Sequence, residues 1–265
     1  MKAMILAAGL GTRLRPLTDD RPKALVTVAG RTLLEIALNR LSAFGVREVI
    51  VNTHHYADMI LEYLKANNSF GMRIEVAREP TLLDTGGGLK NAAWFFLDSS
   101  VSLHEPFILH NVDVISTIDL GRMMRFHSEH AALATLAVQD RETSRYLLFN
   151  EQGQFCGRQA GRDAKAESDD ALTVRPAQTV QTLAFSGIHI ISSEIFAKMQ
   201  ENGTFSIIDA YLRLAAQGEK IIAFRADDYY WRDLGRPESV TAAAQDLASE
   251  KYFLARTFNA ALDDK

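Results

Sequence analysis

The sequence predicts an α/β fold, a doubly wound and mostly parallel sheet with a small β-hairpin lobe in its second half. Short apolar or β-branched runs alternate with amphipathic helical patterns up to about residue 140, as in strand–helix–strand units. Two strand-like runs joined by residues 151–154 then predict the hairpin. A chain of 265 residues, 47% hydrophobic and 23% charged, is able to bury one large core.

The strand predictions come from apolar or β-branched runs that are bounded by turn residues. In chain order they are 5–8, 46–52, 72–77, 106–110, 131–138, 145–150, 155–158, 183–191 and 220–225. The polar stretch 161–178, rich in Asp, Ala and Arg, predicts a mobile loop between the hairpin and the strand that follows it.

The helix predictions rest on apolar residues at helical spacing and on residues that start or stop a helix. They are 33–44, 56–65, 88–97, 120–130, 193–199, 207–216 and 237–248. Gly45 ends the first helix, Asp119 caps the helix that begins at Leu120, and Pro237 lies in the first turn of the last one. Residues 250–265 predict a tail that docks, dimerises or frays.

Composition excludes several classes of function. The net charge is −4 and there is no extended basic tract, which argues against a nucleic-acid surface. The single cysteine, Cys156, excludes an internal disulfide framework and a cysteine metal cluster. No apolar run is long enough to span a membrane, so we expect a cytoplasmic protein. We expect one domain over residues 1–249, with a first part to about 140, a second part over 141–249 and then the tail.

The first predicted strand runs into a glycine-rich turn that is followed closely by cations. Glycines let the backbone approach a ligand, and arginine or lysine side chains supply the counter-charge that a polyphosphate needs. The cations are Arg13, Arg15, Arg21 and Lys23. A dinucleotide-binding fingerprint would need a third glycine where Leu14 stands, and the Gly-Lys-Ser/Thr of a P-loop is absent.

Residues 6–18 (LAAGLGTRLRPLT) and 22–25 (PKAL) resemble the signature loop of the sugar-1-phosphate nucleotidyltransferases. These enzymes join an NTP to a sugar phosphate and release pyrophosphate. The resemblance implies that Arg13 stabilises the pyrophosphate leaving group and that Lys23 lies at the α-phosphate, so both are expected to be catalytic. The implied nucleotide contacts of this segment are Leu6, Ala8, Gly9, Gly11, Thr12, Arg13 and Lys23. Arg21 is interpreted as a solvated loop charge.

Two aspartates match the family's metal-binding positions. Asp113 follows the strand 106–110, and ligands of open α/β sheets bind at the carboxyl ends of the strands. Residues 230–238 (YWRDLGRPE) resemble the family's Trp-x-Asp-x-Gly-x-Pro-Glu element, in which Asp233 would be the second ligand. Carboxylates with open water positions suit Mg²⁺, so the implied cofactor is Mg²⁺ and Asp113 is also expected to be catalytic.

The segment 78–88 is expected to contact the nucleoside. Gly86, Gly87 and Gly88 are predicted to open a helix, whose N–H groups and positive end would face a ligand. The resemblance implies nucleotide contacts from Glu79, Thr85, Gly86 and Gly87. Glu79 is able to accept hydrogen bonds from guanine, but uridylyl-transferring relatives look similar here, so the base stays open.

The sugar side departs from the family pattern. Many relatives carry Glu-Lys-Pro after the central hairpin, and that lysine binds the acceptor's phosphate; here residues 155–159 read FCGRQ. Arg158 or Lys165 are the alternatives for this role. Residues 186–188 (SGI) match a family element at the sugar pocket. The sugar-binding expectation comprises Asn111, Gly157, Arg158 and Gly187.

The resemblance implies a Rossmann-like nucleotidyltransferase fold with a nucleotide-binding first part and a sugar-binding second part. The expected reaction uses GTP with mannose 1-phosphate or UTP with N-acetylmuramate 1-phosphate. A cytidylyl- or molybdopterin-type transferase is disfavoured by residues 13–18 and by the Trp-x-Asp element. A catalytically weak regulatory protein of the same fold would be expected to have lost Arg13, Lys23 or Asp113. The expected partners are the two substrates, with no nucleic acid and no membrane; a homodimer through the apolar tail residues is plausible.

Overall fold

The computed structural model describes residues 1–97, 105–161, 172–174 and 179–248. The strands in these ranges are β1 (Lys2–Leu6), β2 (Thr27–Val28), β3 (Arg31–Thr32), β4 (Glu48–Thr53), β5 (Arg73–Arg78), β6 (Pro106–Asn111), β7 (Val114–Ser116), β8 (Ala134–Gln139), β9 (Arg145–Phe149), β10 (Phe155–Ala160), β11 (Leu172–Thr173), β12 (Gln181–Ser192), β13 (Ile221–Arg225) and β14 (Trp231–Asp233). The helices are α1 (Leu33–Ala43), α2 (Ala57–Ala66), α3 (Asp84–Asn91), α4 (Ala93–Phe96), α5 (Leu120–Glu129), α6 (Ile195–Lys198), α7 (Ile207–Ala216) and α8 (Pro237–Ala248).

One large mixed sheet forms the centre of the molecule. Its strand order is β11-β10-β9-β12-β6-β1-β4-β5, and β8 pairs with β12 and with β13. Strands β6, β1, β4 and β5 are parallel, whereas β12 runs antiparallel to β6, β8 and β9. The predicted α/β class is confirmed, and the hairpin is β9–β10.

The sheet is covered on both faces because side chains alternate along its buried strands. In β1, Ile5 belongs to the apolar cluster that includes Leu38 of α1. The neighbouring Met4 belongs to the opposite cluster, which includes Tyr211 and Leu214 of α7. All five side chains are buried, so the doubly wound arrangement follows from helices packed on each side.

The direction of chain winding reverses at β1. The chain passes from β1 to β4 and β5 on one side, and then returns to place β6 on the other side of β1. A crevice at the carboxyl ends of the strands is the usual ligand site where an open α/β sheet reverses in this way. The residues after β1 and β6 are therefore positioned to meet.

The helix predicted over 88–97 is wrong in its bounds: α3 begins at Asp84, so the three glycines lie inside it, and α4 follows as a separate short helix. Most of the predicted loop 161–178 lies outside the described residues, although β11, which falls within that range, pairs with β10. The whole of the predicted tail 250–265 lies outside the described residues. The predicted division near residue 140 stays a prediction. No helix among the described ranges has the length and apolar character needed to cross a lipid bilayer.

Candidate active site

A cleft of about 450 Å³ opens at the carboxyl ends of β1, β4 and β6. It is lined by Leu6, Ala7, Ala8, Gly9, Lys23, Asn52, Glu79, Leu82, Asp84, Thr85, Asn111, Val112, Asp113 and Thr204. Eight residues from the sequence-based site are in this lining: Leu6, Ala8, Gly9, Lys23, Glu79, Thr85, Asn111 and Asp113. The cleft therefore unites the segments after three parallel strands, as the switch in winding direction predicts.

The glycine-rich loop folds back on itself at Gly11. Gly11 has φ +66°, and a Cβ placed on it would lie 2.9 Å from the Cγ2 atom of Thr18. The carbonyl of Gly11 accepts hydrogen bonds from Thr18 Oγ1 at 2.9 Å and from the N–H of Leu14 at 2.8 Å. This turn leaves Thr12 and Arg13 exposed beside the cleft. Gly11 is thus required by local geometry, independently of any ligand.

Lys23 and Asp113 line the cleft, and Asp233 lies near both of them. The Lys23 ammonium forms an ion pair with the Asp113 carboxylate, and the two side chains are only 13% and 14% exposed. Burial and the nearby Asp113 carboxylate raise the pKa of Asp233, whereas Lys23 and Arg13 act in the opposite direction. Arg13 also comes close to Gly235, since its Nη2 atom lies 3.6 Å from the position of a Cβ built there. The charges of two acidic side chains, Asp113 and Asp233, and of two basic side chains, Lys23 and Arg13, therefore act on one another at this site.

A short antiparallel pair, β7–β14, brings the two aspartates together. Asp233 is opposite Val114 in this pair, and the N–H of Leu234 donates to the carbonyl of Asp113 at 2.8 Å. The Asp233 carboxylate accepts from the N–H of Gly235 at 2.6 Å, which fixes its orientation. Backbone pairing between distant parts of the chain thus holds both carboxylates in place.

Asn52, which the sequence did not single out, links the two sides of the cleft. Its Oδ1 accepts from the N–H of Ala7 at 2.7 Å, and its Nδ2 donates to Glu79 Oε1 at 2.7 Å. Glu79 Oε2 accepts from the N–H of Leu83 at 3.0 Å, and Glu79 is 3% exposed. Both carboxylate oxygens of Glu79 are therefore engaged within the protein, and recognition of guanine by this residue stays a prediction.

The glycines of α3 serve helix packing. The N–H groups of Gly86 and Gly87 both donate to the carbonyl of Phe205, at 2.9 and 3.2 Å. These two N–H groups are therefore engaged within the protein, and the expected nucleotide contacts of Gly86 and Gly87 stay a prediction. A Cβ on Gly86 would lie 2.4 Å from the ring of Phe205, and one on Gly88 would lie 2.7 Å from Glu79 Oε1. The close approach of neighbouring segments explains why glycine occupies these positions despite its low helix propensity.

The predicted sugar-binding residues do not all lie together. Asn111 lines the cleft and packs against Gly187, whose φ of +73° and missing Cβ allow the approach. Arg158 instead forms an ion pair with Asp209 of α7 and is outside the cleft lining. Gly157 lies within β10, paired with Leu148 and Thr173. Lys165 is outside the described residues.

The family-model description "Nucleotidyl transferase" matches residues 2–250. The chain belongs to the nucleotidyl transferase family. The predicted enzyme class, a nucleotidyltransferase, is thereby confirmed, and the Rossmann-like fold agrees with the strand order described above.

Individual relatives of this nucleotidyltransferase cover most of its length. It is 35% identical over 250 residues to an N-acetylmuramate α-1-phosphate uridylyltransferase from Caulobacter vibrioides, covering 93% of this chain and 96% of that one. It is 30% identical over 255 residues to a mannose-1-phosphate guanyltransferase beta-B from Xenopus laevis, covering 95% of this chain and 66% of the frog protein. The crystal structure of HddC from Yersinia pseudotuberculosis complexed with GMP-PN superimposes with a TM-score of 0.70, at 22% identity, over 93% of this chain and 99% of that one.

Proposed function

We propose that this nucleotidyltransferase transfers the UMP group of UTP to N-acetylmuramate 1-phosphate and releases pyrophosphate. The observation that carries the reaction type is that Lys23 and Asp113 form an ion pair in the cleft lining, with Asp233 and Arg13 close to them. The identity of the Caulobacter vibrioides relative, aligned over nearly all of both chains, supports this substrate pair. GTP with mannose 1-phosphate is the second candidate, supported by the 30% identity to the Xenopus laevis protein.

The proposed reaction is an in-line displacement at phosphorus. An oxygen of the acceptor phosphate attacks the α-phosphorus of the NTP, and the bond from that phosphorus to the bridging oxygen of the β-phosphate breaks. The electron pair leaves with pyrophosphate. The loop over residues 6–12 holds the triphosphate, Lys23 offsets charge at the α-phosphate, and Arg13 stabilises the leaving group. Catalysis of this kind comes mainly from positioning and electrostatics.

Asp113 and Asp233 fit the requirements of a divalent cation. The β7–β14 pairing and the hydrogen bond from the N–H of Leu234 to the carbonyl of Asp113 support a position of the two carboxylates near each other. No group of three or more His, Cys, Asp or Glu suited to a metal occurs among the described residues. Two carboxylates are enough for Mg²⁺, which usually completes its shell with waters and substrate phosphates. Bound there, Mg²⁺ would neutralise charge on the triphosphate.

The test is pyrophosphate release from UTP and GTP, each paired with N-acetylmuramate 1-phosphate and mannose 1-phosphate. We expect turnover with UTP and N-acetylmuramate 1-phosphate that requires Mg²⁺ and is lost with a chelator. Asp113→Asn should lower kcat by at least about 100-fold, since it removes charge at the reacting phosphates. Asp58→Asn, which changes an exposed carboxylate paired with Arg78, is the matched control.

Two other outcomes of this assay would change the proposed function. Turnover with GTP and mannose 1-phosphate alone would overturn the first substrate pair and favour the second. Silence with every pair, while nucleotide binding is intact, would instead support a regulatory protein of the same fold. We also propose a cytoplasmic location, where NTPs are available, and neither a nucleic acid nor a membrane as partner; a homodimer stays a prediction.

A further inference from the structure

Arg141, a residue that sequence reasoning passed over, lies beside the Trp-x-Asp element. It follows β8, and its Cζ atom is 3.6 Å from the centre of the Trp231 ring. Its Nη2 donates to the carbonyl of Phe185 at 2.7 Å. Trp231 is fixed in turn, because its Nε1–H donates to the carbonyl of Ser186 at 2.7 Å. The guanidinium is therefore held in one orientation between β12 and β14.

This orientation places Arg141 over Trp231, on the face of β14 that also carries Asp233. Trp231 and Asp233 are two residues apart in β14, so their side chains leave the strand on the same face. Burial lowers the pKa of Arg141, and the charge of Asp233 acts in the opposite direction. An anion bound by Arg141 would lie near Asp233, which is where an attacking phosphate has to be.

The guanidinium has unused hydrogen-bonding capacity. Its Nε is buried and has no hydrogen-bond partner among the described residues. Buried donors are normally satisfied, and a guanidinium offers parallel N–H groups that match two oxygens of a phosphate. Arg158 is less suited to this role, because its charge is already paired with the Asp209 carboxylate.

We propose that Arg141 binds the phosphate of the sugar 1-phosphate acceptor. It takes the role that the lysine after the central hairpin has in many relatives, from a different place in the chain. The stacking on Trp231 and the bond to Phe185 orient the fork before the substrate arrives, which lowers the entropic cost of binding. This assignment rests on the proposed function, since it presumes a phosphorylated acceptor.

The test is a steady-state comparison of wild type with Arg141→Gln and Arg141→Lys, using UTP and N-acetylmuramate 1-phosphate. Arg141→Gln should raise KM for the sugar phosphate by about 10-fold or more, while KM for UTP changes less than about twofold. Arg141→Lys keeps the charge without the fork, so its KM should be intermediate. Arg225→Gln removes an exposed arginine paired with Asp227 and should behave as wild type.

Other results overturn the assignment. An unchanged KM for the sugar phosphate in Arg141→Gln would show that Arg141 does not bind its phosphate. A fall in kcat with both KM values unchanged would make Arg141 a positioning residue for Asp233. A raised KM in Arg158→Gln, and not in Arg141→Gln, would assign the contact to Arg158. If Arg141→Gln does not fold, the KM of Arg141→Lys for the sugar phosphate is compared with that of wild type instead.

Failure of the proposed function is recognised separately, because wild type would then turn over no substrate pair. Calorimetric titration of N-acetylmuramate 1-phosphate and mannose 1-phosphate into wild type and Arg141→Gln decides the assignment in that case. Binding to wild type that is weakened in the variant supports a phosphate contact by Arg141. Equal binding to both proteins, or binding to neither, overturns it.

Discussion

The Asn52 side chain links the segment that follows β1 to the segment that follows β5. It accepts from Ala7 and donates to Glu79, and both polar side chains are 3% exposed. A buried donor or acceptor without a hydrogen-bond partner lowers the stability of the folded state. Each donor in this bridge therefore requires an acceptor opposite it, and each acceptor requires a donor. The bridge therefore specifies an amide at position 52 and a carboxylate at position 79.

Exchanging the amide of Asn52 and the carboxylate of Glu79 tests which of the two side chains donates the hydrogen bond between them. Asn52→Asp replaces the donating Nδ2 by an oxygen that faces Glu79, so we expect a loss of about 1–3 kcal/mol in the free energy of unfolding. The double variant Asn52→Asp/Glu79→Gln restores a donor opposite an acceptor and still accepts from Ala7 and Leu83. It should recover most of the loss in urea unfolding. A double variant no more stable than Asn52→Asp alone would contradict the proposed polarity.

Individual site residues differ in how far the sequence predicts them. Arg13, Lys23, Asp113 and Asp233 follow from a family pattern, and the structure brings all four together. Asn52 has no such pattern, because its role arises from the packing of β4 against β1 and β5. Arg141 is similar, since its neighbour Trp231 is far away in the sequence and close only after folding.

The contact between α3 and the segment before α7 explains the glycine run. A Cβ on Gly86 would lie 2.4 Å from the Phe205 ring and 2.9 Å from the backbone nitrogen of Ile207. The hydroxyl of Thr85 accepts from that same nitrogen at 3.0 Å. The two segments thus approach more closely than a helix with side chains at these positions would allow, and they form one wall of the cleft.

Gly86→Ala should destabilise the protein by about 1–3 kcal/mol, because overpacking outweighs the gain of up to about 1 kcal/mol in helix propensity. Combining it with Phe205→Leu should recover part of this loss, since the ring contact is relieved while the backbone contact remains. Phe205→Leu alone is the reference for the double variant. An increase in Tm for Gly86→Ala would show that the segments separate easily.

Most of the predicted strands and helices are present, and the errors have local causes. The first strand is predicted over 5–8 but spans Lys2–Leu6. It ends at Leu6 because the N–H of Ala7 donates to Asn52 instead of continuing the ladder. Strands β7 and β14 have three residues each, too few to show an alternating pattern. Their pairing nevertheless positions Asp233, so a decisive part of the site had no local signal.

Buried histidines make the stability of the folded chain dependent on pH. Burial lowers the pKa of His127 to about 4, that of His110 to about 4 and that of His189 to about 3. An unfolded histidine has a pKa of about 6.5, so below that pH the unfolded chain binds protons that the folded chain excludes. Stability should therefore fall as the pH decreases from about 6.5 towards 4.

The variant His127→Gln tests the contribution of His127 to this pH dependence, at a position away from Asp113 and Asp233. The side chain is 4% exposed and its Nδ1 lies 2.9 Å from the Thr135 hydroxyl. Wild type should lose about 2 kcal/mol more than the variant between pH 7 and pH 5 in urea unfolding. Because glutamine does not reproduce every contact of the imidazole, the dependence of stability on pH is compared between the two proteins. Parallel slopes would contradict the assignment.

The β7–β14 pair also has a consequence for biosynthesis. Asp113 leaves the ribosome about 120 residues before Asp233, an interval of roughly 6 to 24 s at ordinary elongation rates. Throughout that interval a nascent chain already contains the glycine-rich loop, Lys23 and the first aspartate, but its acidic pair is incomplete. The order of synthesis thus delays completion of the acidic pair until nearly the whole described chain is available to fold.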